Sequence, residues 1–60
     1  MTHFRFFTFD SMGRIDRGIE RDCHNDAEAL RFANQQTDAV SVEVWQDRRM
    51  VAKLQPPRAV

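Results

Sequence analysis

Phe4-Arg5-Phe6-Phe7-Thr8-Phe9-Asp10-Ser11-Met12-Gly13-Arg14-Ile15 sets a run of aromatic and β-branched residues directly against a turn signal. Such side chains fit a pleated, half-buried surface, so the run predicts a first strand over Thr2 to Phe9. Asp10 to Arg14 predicts a hairpin loop built on a type I turn, with Gly13 in the left-handed conformation that forms a G1 bulge. That turn sets Asp10 opposite Arg14, Phe9 opposite Ile15, Phe7 opposite Arg17 and Phe6 opposite Gly18. The second strand then covers Arg14 to Arg21. One face carries Phe7, Phe9, Ile15, Ile19 and, further on, Cys23, and the other carries Phe4 and Phe6 beside Asp16, Gly18 and Glu20. Phe6 covers the bare backbone of Gly18 in this register. Both faces are partly apolar, which leaves open whether Phe6 or Phe7 meets the helix.

Downstream, Asn25 is placed to cap a helix, with Glu28 completing a capping box and Asp26 complementing the helix dipole. Ala29, Leu30 and Ala33 form its apolar stripe, flanked by Ala27 and Phe32, with Glu28, Arg31 and Gln35 opposite. The alanines let the helix sit close against a sheet, and the polar segment Asn34 to Asp38 ends it. Val40 to Gln46 alternates Val40, Val42 and Val44 with Ser41, Glu43 and Trp45, the pattern of a half-buried strand, and Met50 to Leu54 supplies its partner. A loop of Asp47, Arg48 and Arg49 places Val44 opposite Ala52, Val42 opposite Leu54 and Glu43 opposite Lys53. A two-residue loop would instead pair Trp45 with Met50. The first register is preferred because it segregates apolar residues and pairs opposite charges. Pro56 and Pro57 cannot extend a ladder, so the domain is expected over residues 1–55 with an exposed tail over 56–60.

The elements read ββαββ. With the Phe-rich and Val-rich strands central, they predict an α+β fold, an antiparallel sheet of order 2-1-3-4 with the helix on one face. The chain has 60 residues, nine basic and nine acidic, with a formal net charge of zero. Zero net charge lacks the global field of a dedicated nucleic-acid binder. The charge is nevertheless uneven, because Arg48, Arg49, Lys53 and Arg58 follow Asp47 with no acid among them. Eight of the nine basic residues are Arg, a preference that codon usage explains without a function. Cys23 is the only cysteine, which excludes an internal disulfide and suits a reducing compartment. Charges interrupt every apolar stretch, and the N-terminus lacks the apolar region of a signal peptide. A cytoplasmic protein without membrane partners is expected.

Phe4-Arg5-Phe6-Phe7, Asp10-Ser11-Met12-Gly13-Arg14-Ile15, Asp22-Cys23-His24-Asn25-Asp26-Ala27-Glu28-Ala29 and Val42-Glu43-Val44-Trp45 together resemble a family of small bacterial proteins of unknown function. Those proteins begin with an aromatic strand, turn through Asp-x-x-Gly and continue into an Asp-x-Glu-Ala helix. The resemblance implies the ββαββ fold and no activity. A weaker likeness is to the antitoxin half of HicA and HicB toxin-antitoxin pairs, whose core also runs through a hairpin into an acidic-start helix. This chain departs from that pattern in lacking a separate DNA-binding segment.

Asp22, Cys23, His24 and Asp26 bring four potential metal ligands close together, but without zinc-site spacing or a second Cys-His pair, and His3 would have to arrive from another strand. No metal or other cofactor is expected. Cys23 as a nucleophile needs a base, and His24, adjacent on an extended strand, points to the opposite side. A buried structural cysteine is the simpler reading. Asp16, Glu20 and Asp22 read as solvated strand residues rather than catalytic carboxylates, and two glycines do not make a phosphate loop. The reading is therefore non-enzymatic.

What remains is an aromatic sheet surface. The face opposite the helix is expected to expose Phe4, Phe6 and Trp45, an apolar area large enough to call for a cover. A core this small supplies only about 3–5 kcal/mol, so a second subunit over that face would add what it lacks. Homodimerisation through Phe4, Phe6 and Trp45 is the leading expectation, a role in binding another protein being compatible with it. The alternative is a nucleic-acid-binding or antitoxin-like regulator using the basic stretch Arg48, Arg49, Lys53 and Arg58, with bases stacking on the aromatics.

Overall fold

A computed structural model describes residues 1–57 of the chain. Four antiparallel strands, β1 (Thr2–Phe9), β2 (Ile15–Cys23), β3 (Ser41–Gln46) and β4 (Arg49–Leu54), form one sheet of order β2-β1-β3-β4. A single helix, α1 (Asp26–Asn34), leaves the β2 edge and delivers the chain to β3 on the far side of β1. The ββαββ architecture and strand order are those expected from the sequence. No helix among the described residues is long and apolar enough to cross a membrane.

Local chemistry accounts for the first turn. The Asp10 carbonyl accepts from Gly13 N–H at 3.0 Å, while the Asp10 carboxylate accepts from the Met12 and Arg14 backbone N–H groups at 2.9 and 3.0 Å. Gly13 has a φ of 78°, the left-handed conformation that costs glycine nothing. Phe9 pairs with Ile15 as expected. Beyond that pair the expected register fails, because an irregularity between Thr8 and Phe9 accommodates Asp16 as an extra residue of β2. Thr8 therefore pairs with Arg17, Phe7 with Gly18 and Phe6 with Ile19. It is Phe7, not Phe6, that lies over Gly18.

The bulge is held by a side chain. Thr8 is the one buried polar residue among those described, and its hydroxyl accepts from Arg17 N–H at 3.0 Å and donates to Arg17 C=O at 3.4 Å. An interrupted ladder would otherwise leave these groups unpaired.

One slipped residue reverses the face of all that follows in β2. Ile19 and Cys23 now lie on the side of Phe4 and Phe6, facing α1, rather than on the side of Phe7 and Phe9. The core consists of Phe4, Phe6, Thr8, Cys23, Val42 and Val44 from the sheet against Ala29 and Ala33 of α1, with Ala39 and the partly buried Leu30, Phe32, Val51 and Leu54 around them. Small residues at 29 and 33 let the helix approach, and Phe32 packs edge-on against Phe6 with ring centroids 4.8 Å apart.

Asn25 caps α1 as expected, its Oδ1 accepting from Glu28 N–H at 2.8 Å. The reciprocal half of the box is displaced by one residue: the Glu28 carboxylate accepts from His24 N–H at 3.2 Å instead of from Asn25. In the second hairpin the strand pairings Val44 with Ala52, Glu43 with Lys53 and Val42 with Leu54 are those expected, but the loop is the shorter one. Gln46 pairs with Arg49 and Trp45 with Met50, and a bulge then absorbs Val51, which turns into the core. Asp47 takes the left-handed position with a φ of 53°, a conformation its short polar side chain tolerates. The ladder ends at Leu54, ahead of the prolines, yet Pro56 is buried, so the tail leaves the body one residue later than expected. The remainder of that tail, residues 58–60, lies outside the described residues.

The Thr8 hydroxyl carries a measurable consequence. Thr8→Val keeps the shape and strips both partners from the Arg17 backbone, and should lower unfolding free energy by about 1–3 kcal/mol in urea titrations, the cost of an unpaired buried group. A change within error would show that Thr8 does not secure the bulge.

Candidate functional site

Alternation along the strands builds the face that α1 leaves uncovered. From β1 come His3, Arg5, Phe7 and Phe9. Asp22, Glu20, Gly18 and Ile15 of β2 lie opposite them in that order, and Trp45, Glu43 and Ser41 of β3 lie opposite Arg5, Phe7 and Phe9. Met50 and Lys53 of β4 complete the surface beside Trp45 and Glu43. Phe7, Phe9 and Trp45 are half-buried, while Ile15 is 61% and Met50 42% exposed. A Cβ built on Gly18 would sit 3.6 Å from the Phe7 ring, and beside this pair lies a hollow of about 210 Å³ lined by Arg5, Phe7, Gly18, Ile19 and Glu20.

Charges on the face are paired with one another. Arg5 Nε lies 3.7 Å from Glu20, and Lys53 Nζ lies 3.9 Å from Glu43, over the ring of Phe9 at 5.7 Å from its centroid. The Trp45 indole N–H donates to Glu43 at 3.1 Å, which lays the ring along the strand. His3 faces two carboxylates at once, with Nε2 2.8 Å from Glu20 and Nδ1 3.1 Å from Asp22. Both ring nitrogens can donate only in the imidazolium, so these hydrogen bonds, Glu20 first and Asp22 second, hold the His3 pKa above its ordinary value.

Three residues were expected on this surface, and only Trp45 is there. Phe4 and Phe6 are 1% and 0% exposed and face α1. The aromatic members opposite the helix are Phe7 and Phe9, their place fixed by the polar residues that share their side of β1, His3 and Arg5. That alternation was the available sequence signal, and the density of phenylalanine masked it.

The basic stretch is not gathered into a patch among the described residues. Arg49 turns to the helix side, where it pairs with Asp26 at 3.2 Å and donates to Gln46. Lys53 lies on the opposite face with Glu43, Arg48 is exposed in the turn, and Arg58 lies outside the described residues.

The possible metal ligands are likewise dispersed. Asp22 meets His3, Asp26 meets Arg49, and His24 Nδ1–H donates to Glu28 at 2.7 Å, lowering the Glu28 pKa. Cys23 points into the core, where burial pushes its thiol pKa up, the reverse of what a nucleophile needs. His3 does arrive from another strand, but beside Asp22 and Glu20, and no group of three or more such side chains among the described residues is placed to hold a metal. Comparison with protein-family models, with curated proteins and with solved structures finds no match.

The site is thus an aromatic surface with internally compensated charge. Because the folded His3 pKa is raised, the His3 bridge stabilises the fold fully below its ordinary pKa of 6.5, and this contribution disappears as pH rises through the raised folded value. Imidazole titration by NMR should place His3 above 6.5 and, in Glu20→Gln, return it toward that value. An unchanged His3 titration in Glu20→Gln would contradict the arrangement.

Proposed function

We propose that this protein is a non-enzymatic interaction module that forms a homodimer by burying the helix-free sheet face against the same face of a second copy. The observation that carries the reading is the composition of that face: Phe7, Phe9, Trp45, Met50 and Ile15 stand together with no helix over them, on a domain whose single helix is nine residues long. Clustered apolar side chains on an uncovered face support an interface there.

Charge selects the occupant. A two-fold interface sets a surface against itself, so its charges must be self-complementary. Glu20, Asp22 and Glu43 are matched on this face by Arg5, Lys53 and the doubly bonded His3. Nucleic acid calls instead for an excess of unpaired cations. The regulator reading draws less support, because Arg49 and Lys53 are each engaged by a carboxylate.

Substitutions on the two faces have opposite consequences. Phe7→Ser combined with Trp45→Ser should give a folded monomer with unchanged far-ultraviolet circular dichroism. Phe4→Ser removes a core ring, a loss on the order of 3–5 kcal/mol, and should unfold the chain. Analytical ultracentrifugation at micromolar concentration separates these outcomes. A stable monomer for the unmodified protein would defeat the proposal, and salt-sensitive binding of single-stranded oligonucleotides by that monomer would favour the regulator instead.

A further inference from the structure

The ladder itself limits how two such faces can meet. On the helix-free side, Arg5 is flanked by Glu20 and Trp45, and Phe7 by Gly18 and Glu43. β1 therefore divides the face into two unlike sides. To one side lies the hollow at Gly18, bounded by Arg5, Phe7 and Glu20. On the other side Trp45 is level with Arg5 and Glu20, one pair along from Gly18, and its indole is drawn by a 3.1 Å hydrogen bond toward Glu43, the residue level with Gly18. A two-fold axis parallel to β1 exchanges these two sides.

Resting on the dimer reading above, we infer that the second copy docks with the two-fold axis along β1, so that the Trp45 indole of each copy seats in the Gly18 hollow of the other. The hollow, about 210 Å³, is on the scale of one large side chain, and Gly18, which has no side chain, forms part of its lining. Phe7 of one copy then meets Phe7 of the other at the axis, and the two sheets stack in the aligned manner of a β-sandwich. Arg5 also approaches its counterpart there, where each guanidinium is held to its own Glu20 at 3.7 Å and has an indole face beside it. An axis across the strands would instead set hollow against hollow and leave both empty.

Gly18 makes the test clean. Its φ is not positive, and an added Cβ meets only the Phe7 ring at 3.6 and 3.7 Å, ordinary contact distances, so the fold accepts a Cβ there, with Gly18→Ala as the smaller companion variant. Gly18→Val improves strand propensity while filling the hollow. Sedimentation equilibrium should show it folded and dimerising at least tenfold more weakly than the unmodified chain. Trp45 is the only tryptophan, so its emission gives an independent reading: in the unmodified protein it should shift to the red on dilution, in step with loss of dimer mass. If the protein dimerises but Gly18→Val does so equally well, or Trp45 emission stays constant while dimer dissociates, this docking is overturned and the dimer reading stands. If the unmodified protein is a monomer, both fall.

Discussion

A single extra residue in β2 decides which side chains of this protein are core. Asp16 enters the strand where the ladder breaks, and the Thr8 hydroxyl takes up both polar groups of Arg17 at the break. Without it Ile19 and Cys23 would join Phe7 and Phe9 on one face, and α1 would close on a sheet whose edge strand offered it Gly18 and Glu20. With it, Phe6 pairs with Ile19 and Thr2 with Cys23 on the side that α1 covers. The bulge gathers the core under one short helix. It leaves Phe7 and Phe9 behind.

Scale makes that remainder matter. Ala29 and Ala33 bring α1 near the sheet but contribute little apolar area themselves, and a domain of this length buries a small fraction of its surface compared with larger ones. The outer face is furnished accordingly, with aromatic rings flattened by polar neighbours: Phe9 lies under Lys53, Phe7 lies over Gly18, and the Trp45 indole is tied to Glu43. These contacts place a polar or backbone neighbour beside each ring. Paired charge also suits one sheet to stacking on another.

The architecture was legible because its signals are local and redundant. Aromatic and valine alternation, Asp10 with Gly13, and the Asn25 cap each name one element, and together they leave a single sensible strand order. What escaped were the one-residue insertions. Neither bulge carries a glycine at its extra residue: Asp16 is extruded because Thr8 can satisfy the gap across the sheet, and Val51 because the core accepts it. Both causes act between residues distant in sequence. The error at the site follows, since the slip moves Ile19 and Cys23 to the side of Phe4 and Phe6, which makes that side the core and leaves Phe7 and Phe9 on the outer face. For the basic stretch the missing information was pairing: Arg49 finds Asp26 across 23 positions of chain, which no run of charges discloses.

The sheet has two edges, β2 and β4, and the longer is β2, nine residues and exposed along most of its length. A bare edge of that kind ordinarily invites another strand. Its own charges oppose a second copy. Two β2 strands paired antiparallel about Ile19 set Arg17 against Arg21, and pairing about Gly18 sets Asp16 against Glu20. Centring on Glu20 or Arg21 opposes each residue to its own like charge, and like charges directly across a ladder are destabilising. The bulge at Asp16 bends the strand and further spoils a long match. Edge growth is thereby discouraged by the same alternation of acid and base that, turned to the outer face, neutralises Arg5 and His3.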